Sequence, residues 1–254
     1  MPVDNVLVGR LALITGASGG IGAACARDLN SEGCALALTY SSNKAAVDQL
    51  IAELIPTSSG RKITAHQADM SKEEDLTRLY GEISAEHGQR PDILVANAGY
   101  GKRTSNILDI SFEEWDYTIN VNLRASFILT KLAVSHMMER NWGRIIYISS
   151  IAAGGTSING CHYSASKAGI QGLSKNLSIK LAKNGITCND VAPAMITGTG
   201  MIPDEEFLKG TPGDVKNIPV GRAGTTLECA NVVTMLCKTG YMTGQSILIS
   251  GGLK

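Results

Sequence analysis

A phenol and an ammonium stand four residues apart, as Tyr163 and Lys167, in the stretch Gly160-Cys-His-Tyr-Ser-Ala-Ser-Lys-Ala-Gly169. A spacing of i to i+4 puts both side chains on one face of a helix. A phenol with its ordinary pKa of roughly 10 is a poor acid or base at neutral pH, whereas a fixed cation beside it favours the phenolate. Tyr163 is therefore a candidate general acid and Lys167 the group that would tune it. Alone, the pair means little, because the same spacing arises wherever an aromatic ring packs beside a solvated amine. Its significance depends on what the rest of the fold brings to it.

Short apolar runs alternate with helical patterns along the whole chain. Leu11–Ile14, Leu36–Leu38, Ile93–Ala96, Ile145–Ile148, Thr187–Val191 and Ile247–Ile249 read as buried parallel strands, and Thr64-Ala-His-Gln-Ala68 is a further extended stretch. Between them, patterned segments at about 20–31, 43–55, 72–87, 112–140, 161–184 and 226–238 read as crossover helices. This order predicts one α/β domain over 1–254, a doubly wound parallel sheet of about seven strands with helices on both faces. The Gly- and Pro-rich stretch from Pro193 to Val220 is expected to be a loop within that domain. Long irregular segments of this kind are usually lids or binding loops, here at about 194–217.

Directly after the first strand comes Thr15-Gly-Ala-Ser-Gly-Gly-Ile-Gly22, followed by Ala23-Ala-Cys-Ala-Arg-Asp-Leu29 at helical spacing. Gly16, Ser18, Gly20, Ile21 and Gly22 thus lie in a strand, glycine-rich turn, helix unit. Such a unit lets backbone approach a pyrophosphate and aims helix N-terminal amides at it. The spacing departs from the common Gly-x-Gly-x-x-Gly fingerprint, but the context predicts a dinucleotide site. An acid at the end of the second strand would bind the adenosine ribose and repel a 2′-phosphate. None is present. The chain reads Leu38-Thr-Tyr-Ser-Ser-Asn-Lys44, so Tyr40, Ser41 and Ser42 border the expected adenosine site, with Lys44 able to hold a phosphate. NADP(H) is favoured over NAD(H), although no arginine accompanies these residues.

In an open parallel sheet, ligands sit beyond the carboxyl ends of the strands, so polar residues there are site candidates. Asp69 and its neighbour Met70 follow Thr64–Ala68, with Asp69 placed to accept from an adenine amino group. Asn97-Ala98-Gly99 closes the run Ile93–Ala96, and Ser149-Ser150 closes Ile145–Ile148, thirteen residues before Tyr163. Asn120 and Asn122 interrupt an expected long helix, where asparagine is mildly unfavourable and asks for a reason such as a held water.

Composition removes other classes of function. The 23 basic and 23 acidic residues cancel, so no global field points to nucleic acid or an anionic membrane. The six cysteines are scattered without Cys-x-x-Cys pairs, and the four histidines lack metal-ligand spacing, so no metal is expected. His162 is taken as incidental despite adjoining Tyr163. No apolar run reaches the ~20 residues of a membrane span, and the N-terminus lacks a signal-peptide core, so a soluble cytoplasmic protein is expected. Gly-x-Ser-x-Gly, Walker and His-Glu-x-x-His motifs are all missing, which leaves redox chemistry.

Taken together, Thr15-Gly-x-x-x-Gly-x-Gly22, Asp69, Asn97-Ala-Gly99, Val121-Asn-Leu123, Ser150, Tyr163-x-x-x-Lys167 and the Pro193 loop resemble the short-chain dehydrogenase/reductase family from about Leu11 to Gly252. The resemblance implies a Rossmann fold and the reduction of a ketone to an alcohol with Tyr163 as general acid. By the same resemblance, Ser150 would polarise the carbonyl, and Asn122, rather than Asn120, would hold a water in a proton relay. Lys167 would bind the nicotinamide ribose and lower the phenol's pKa, while Pro193, Ile196 and Thr197 would border the nicotinamide. Within the family, Asn122-Leu-x-x-x-Phe127, Gly143-Arg-Ile-Ile146 and Tyr241-Met-Thr-Gly-Gln245 are most similar to 3-oxoacyl-acyl carrier protein reductases and related ketoreductases. The implied partners are a small carbonyl substrate, free or carrier-bound, and further copies of the chain in a homotetramer or dimer. An NAD-dependent alcohol or polyol dehydrogenase and a catalytically silent dinucleotide binder are the alternatives. Two departures stand out: Pro193-Ala194 where the family often has Pro-Gly, and Gly19 where many NADPH reductases carry arginine.

Overall fold

The computed structural model describes residues 3–155 and 158–253. Seven strands form a single parallel sheet in the order β3-β2-β1-β4-β5-β6-β7, with β1 Leu11–Ile14, β2 Ala35–Tyr40, β3 Ile63–Gln67, β4 Ile93–Ala96, β5 Gly143–Ile148, β6 Ile186–Pro193 and β7 Ser246–Ile249. The helices are α1 Gly20–Ser31, α2 Lys44–Leu54, α3 Glu73–His87, α4 Phe112–Ile119, α5 Ala125–Glu139, α6 Cys161–Leu181 and α7 Thr226–Cys237. The Rossmann architecture expected from the alternation of elements is therefore the one observed.

The apolar strand runs are explained by burial on both faces. Ala12 and Ile14 of β1 face the core under α1, α2 and α7, whereas Leu11 and Leu13 face the core under α3, α5 and α6. Strands β4 and β5 divide in the same way, Ile93, Val95, Ile146 and Ile148 to the first core and Leu94, Ala96, Ile145 and Tyr147 to the second. A strand with two buried faces has no position where a polar residue is cheap. The polar groups therefore collect where the strands end.

Local signals set the helix starts. Asn43 accepts from the Ala46 amide at α2, Ser111 from Glu114 at α4, and Thr225 and Glu228 form a reciprocal capping box at α7. The segment 112–140, expected as one helix, is interrupted. Residues Asn120–Arg124 form a π-turn in which the Ala125 amide bonds back to the Asn120 carbonyl. The cause lies in the tertiary structure: Asn122 is drawn onto the chain at Tyr100, and inserting one residue into the turn turns its side chain that way.

The order in which strands are added reverses between β1 and β4, which run parallel and are paired at Ala12 with Ile93 and Ile14 with Val95. β2 and β3 extend to one side and β5, β6 and β7 to the other. Crossover helices leave in opposite directions at that point and open a crevice beyond the strand ends. No helix among the described residues is long and apolar enough to cross a membrane.

Candidate active site

A cleft of about 680 Å³ lies along that crevice, reaching from Ser41 and Asp69 at one end to Tyr100, Ser150 and Tyr163 at the other. Its first wall is the turn after β1. Thr15 Oγ1 accepts from the amides of Asn97 and Ala98, at 3.0 and 2.9 Å, and Asn97 Nδ2 donates to the carbonyls of Thr15 and Gly16, at 2.8 and 3.2 Å. The Gly16 amide donates to Thr39 Oγ1 on β2. The turn is thus fastened to both neighbouring strands, and two of its glycines are obligatory. Gly16 has φ +66, in the left-handed region, and a Cβ on Gly22 would lie 2.4 Å from the Gly16 carbonyl oxygen and 2.7 Å from Asn97 Nδ2.

At the adenosine end Tyr40 and Ser41 both line the cleft, Ser41 exposed and Tyr40 mostly buried against the core under α1 and α2. Ser42 is exposed beside the cleft and is not one of its lining residues. Lys44, expected to be available to a phosphate, is paired with Asp48 one helical turn away at 2.7 Å. Asp69 lines the cleft and uses Oδ1 to accept from the Ser71 amide and hydroxyl, while its own amide donates to Asp75. Met70 lines the same end.

The reaction end is made of side chains from four elements. Ser150, directly after β5, accepts from the Ala152 amide at 3.1 Å. Tyr163 and Lys167 project from one face of α6 into the cleft, the ammonium 5.6 Å from the ring centroid. Lys167 Nζ donates to the Ile148 carbonyl at 2.8 Å. Burial pushes the Tyr163 phenol up to about 12, and a hydrogen bond with the Ser150 hydroxyl offsets part of that rise. Burial also brings Lys167 down to about 8, with Asp190 acting in the opposite sense. Dehydration is thus the dominant influence on the phenol, and the Lys167 ammonium is directed at the Ile148 carbonyl.

Asn122 is held by protein contacts. It is buried one layer behind the cleft, and its amide group is fully engaged by protein. Oδ1 accepts from the Tyr100 amide at 2.8 Å, while Nδ2 donates to the Tyr100 carbonyl and to Ser166 Oγ, each at 2.9 Å. Ser166 Oγ in turn donates to the Tyr163 carbonyl at 2.7 Å. The asparagine side chain ties the β4 loop to α6, and a Cβ on Gly99 of the cleft wall would lie 3.4 Å from both its Oδ1 and Lys167 Nζ.

The loop after β6 closes the cleft from above. Pro193 and Ile196 line it as expected, while Thr197 turns away to bond the Gly224 carbonyl. Its place is taken by Thr199, which sequence reasoning missed and which folds over the glycine turn, bonding the Ile196 and Ile202 carbonyls. Of the apolar residues in this loop, Met201 lines the cleft and Met195 packs against a small lid core of Ile202, Leu208 and Ala223. Phe207 lies under the Arg103 guanidinium, 4.1 Å from it. In the segment 152–162, which leads from Ser150 to Tyr163, Thr156 and Ser157 lie outside the described residues. Tyr100 and Tyr117 also wall the reaction end, and only their place beyond β4 and on α4 could have signalled it.

The pattern of the short chain dehydrogenase family matches residues 10–206 of this chain. The chain is 34% identical to 3-oxoacyl-[acyl-carrier-protein] reductase FabG of Aquifex aeolicus, over 97% of this chain and 98% of that protein. It is likewise 34% identical to dehydrogenase/reductase SDR family member 4 of Homo sapiens, over 97% and 88%. Among solved structures, a blue fluorescent protein from a metagenomic library, in complex with NADPH, superposes with a TM-score of 0.87 at 30% identity, covering 97% of this chain and 98% of that one. With a glycine turn locked between β1 and β4, and a tyrosine, lysine and serine converging at the far end of the same crevice, the chain belongs to the short-chain dehydrogenase family of oxidoreductases.

Proposed function

We propose that the chain is an NADP(H)-dependent reductase that converts a ketone, a 3-oxoacyl thioester or a related carbonyl, to an alcohol. The observation that carries this reading is the convergence of Ser150, Tyr163 and Lys167 on one end of the cleft, with the buried Tyr163 phenol hydrogen-bonded to Ser150 and pushed up by burial. A phenol in that state keeps its proton at neutral pH. It is suited to giving the proton to an oxygen that gains charge, which is the reductive direction.

The cradle suits a dinucleotide: a Cβ at Gly22 would collide with the Gly16 carbonyl, so the turn is held bare of side chains where a pyrophosphate would approach. Gly16, Ser18, Gly20 and Ile21 would hold the pyrophosphate, Ser41, Asp69 and Met70 the adenosine, and Asn97, Ala98, Gly99, Lys167, Pro193 and Ile196 the nicotinamide half. When bound, a reduced nicotinamide supplies a hydride. Ser150 would donate to the carbonyl oxygen and orient it, and Tyr163 would deliver the proton to that oxygen. Lys167 would bind ribose hydroxyls and keep a positive charge next to the forming phenolate. Thr199, Met201 and Ile202 would exclude water from above.

NADP(H) is favoured because β2 ends without an acid and Ser41 stands exposed there, and because a relative solved with NADPH superposes over nearly the whole chain. A second reading, an NAD-dependent alcohol or polyol dehydrogenase, draws on Lys44 being occupied by Asp48. Phe112, Phe127 and Ile179, exposed on α4, α5 and α6, support self-association into a dimer or tetramer.

The deciding experiment titrates NADPH and NADH by fluorescence and then follows NADPH loss over a panel of 3-oxoacyl thioesters, cyclic ketones, quinones and sugars. Tighter NADPH binding with turnover of at least one ketone is expected. Binding without turnover across the panel would point to a silent dinucleotide binder instead.

A further inference from the structure

We propose that Asp190 is the counter-charge that maintains the Lys167 ammonium beneath the reaction end of the cleft, a positioning residue that touches neither substrate nor cofactor. Asp190 sits on β6, where alternation continues the row Ile186 and Cys188 toward α6, and it is 1% exposed. Its Oδ2 accepts from Ser149 Oγ at 2.5 Å and from Ser246 Oγ at 2.7 Å. Ser246 Oγ also accepts from Gln171 Nε2 at 2.8 Å, one turn beyond Lys167 on α6. Among the described residues, Asp190 Oδ1 has no hydrogen-bond partner although it is buried.

Two neutral hydroxyls do not compensate a dehydrated carboxylate, and an isolated buried charge is too costly to persist. Lys167 poses the same problem with the opposite sign, being 3% exposed with one carbonyl bond to Ile148. That carbonyl belongs to the residue before Ser149, which bonds Asp190, so the two charges flank the end of β5. The remaining ionisable groups nearby do not offer an alternative anion. Tyr163 on α6, Tyr147 on β5 and Cys188 on β6 are all pushed up by burial and stay neutral. Glu114 on α4 is directed to Tyr100, Lys102 and His162. Asp190 is also the one residue whose charge counteracts the fall of Lys167 on burial.

The test measures the ionisation of Lys167 directly. In protein labelled at lysine Cε with 13C, the Lys167 signal is assigned by its loss in Lys167→Met, and its titration is followed in wild type and in Asp190→Asn. The midpoint in Asp190→Asn is expected roughly one pH unit or more below wild type, because removing an opposite charge disfavours the ammonium. An unchanged midpoint overturns the proposal. Should Asp190→Asn fail to fold, Asp190→Ser decides by the same lysine titration, since it removes the charge and keeps an acceptor for Ser149 and Ser246, and an unchanged midpoint there overturns the pairing. The catalytic consequence rests on the reductase reading, and it is that the alkaline limb of kcat moves to lower pH in Asp190→Asn. If wild type reduces no ketone, that reading fails while the lysine titration still decides the pairing.

Discussion

The two ends of the cleft are built from different materials. The cradle after β1 is bare backbone pinned by the side chains of neighbouring strands: the Gly16 amide donates to Thr39 Oγ1, and Thr15 and Asn97 exchange bonds across β1 and β4. The reaction end is a set of buried side chains, Ser150, Tyr163 and Lys167, behind which Asn122, Ser166 and Asp190 form a second polar layer. A backbone cradle recognises a shape shared by every dinucleotide and cannot easily be retuned. A side-chain cluster sets proton affinities through burial and neighbours, so single atoms matter there. The two ends should therefore fail in different ways.

The largest expected effect is at the reaction end. Tyr163→Phe removes the proton donor and leaves the ring, so kcat should drop by about 10²–10⁴-fold, the usual range for a general acid. NADPH affinity, measured by fluorescence titration, should stay near that of wild type. A variant that loses both together would show that the ends are not separable.

The converse belongs to the cradle. Gly22→Ala places a Cβ 2.4 Å from the Gly16 carbonyl, in backbone that cannot yield without shifting the turn. Such crowding typically costs about 1–3 kcal/mol, and if most of it falls on the turn, NADPH should bind about tenfold or more weakly. kcat at saturating NADPH is expected to change less than KM. If kcat collapses while affinity holds, the turn also orders the reaction end.

How much of each end can be read from the chain follows from the same difference. The glycine turn and the Tyr163–Lys167 pair are local patterns, complete within a few residues, and the strands announce themselves by being apolar on both faces. What remained hidden depends on distant partners. Asn122 meets Tyr100 at a separation of 22 residues, and Asp190 meets Ser149 and Ser246 at 41 and 56. The π-turn at Asn120–Arg124 is a response to the first of these contacts, so no local helix rule could place it. Thr199 displaced Thr197 from the cleft because the loop folds back on itself through the Ile196 and Ile202 carbonyls. The dehydration of the Tyr163 ring is hidden for a related reason: spacing reveals a neighbouring cation, whereas burial depends on everything packed around the ring.

Cofactor choice sharpens the comparison with smaller effects, since it depends on side chains added to a backbone cradle. Ser41→Asp sets a carboxylate at the exposed end of β2, where it would repel a 2′-phosphate. NADPH should bind about tenfold more weakly, and NADH should gain, in paired titrations. The same acid at Tyr40 would lie mostly buried against the core under α1 and α2, so it tests folding as well as specificity.

The smallest effect is a gain. Gly19 differs from Gly16 and Gly22 in that its backbone is extended, with φ 171, and an added Cβ would meet nothing within 4 Å. Its glycine is therefore not required by shape, and an arginine is tolerated without strain. Gly19→Arg adds a solvated cation at the N-cap of α1, on the cleft wall, where it would attract a 2′-phosphate. An exposed pair of this kind is worth at most about 1 kcal/mol, so NADPH affinity should rise by up to about fivefold, with NADH unaffected and the gain fading as salt is added. An equal gain for both cofactors would mean that the arginine serves the pyrophosphate they share, and the cradle would then be recognising charge as well as shape.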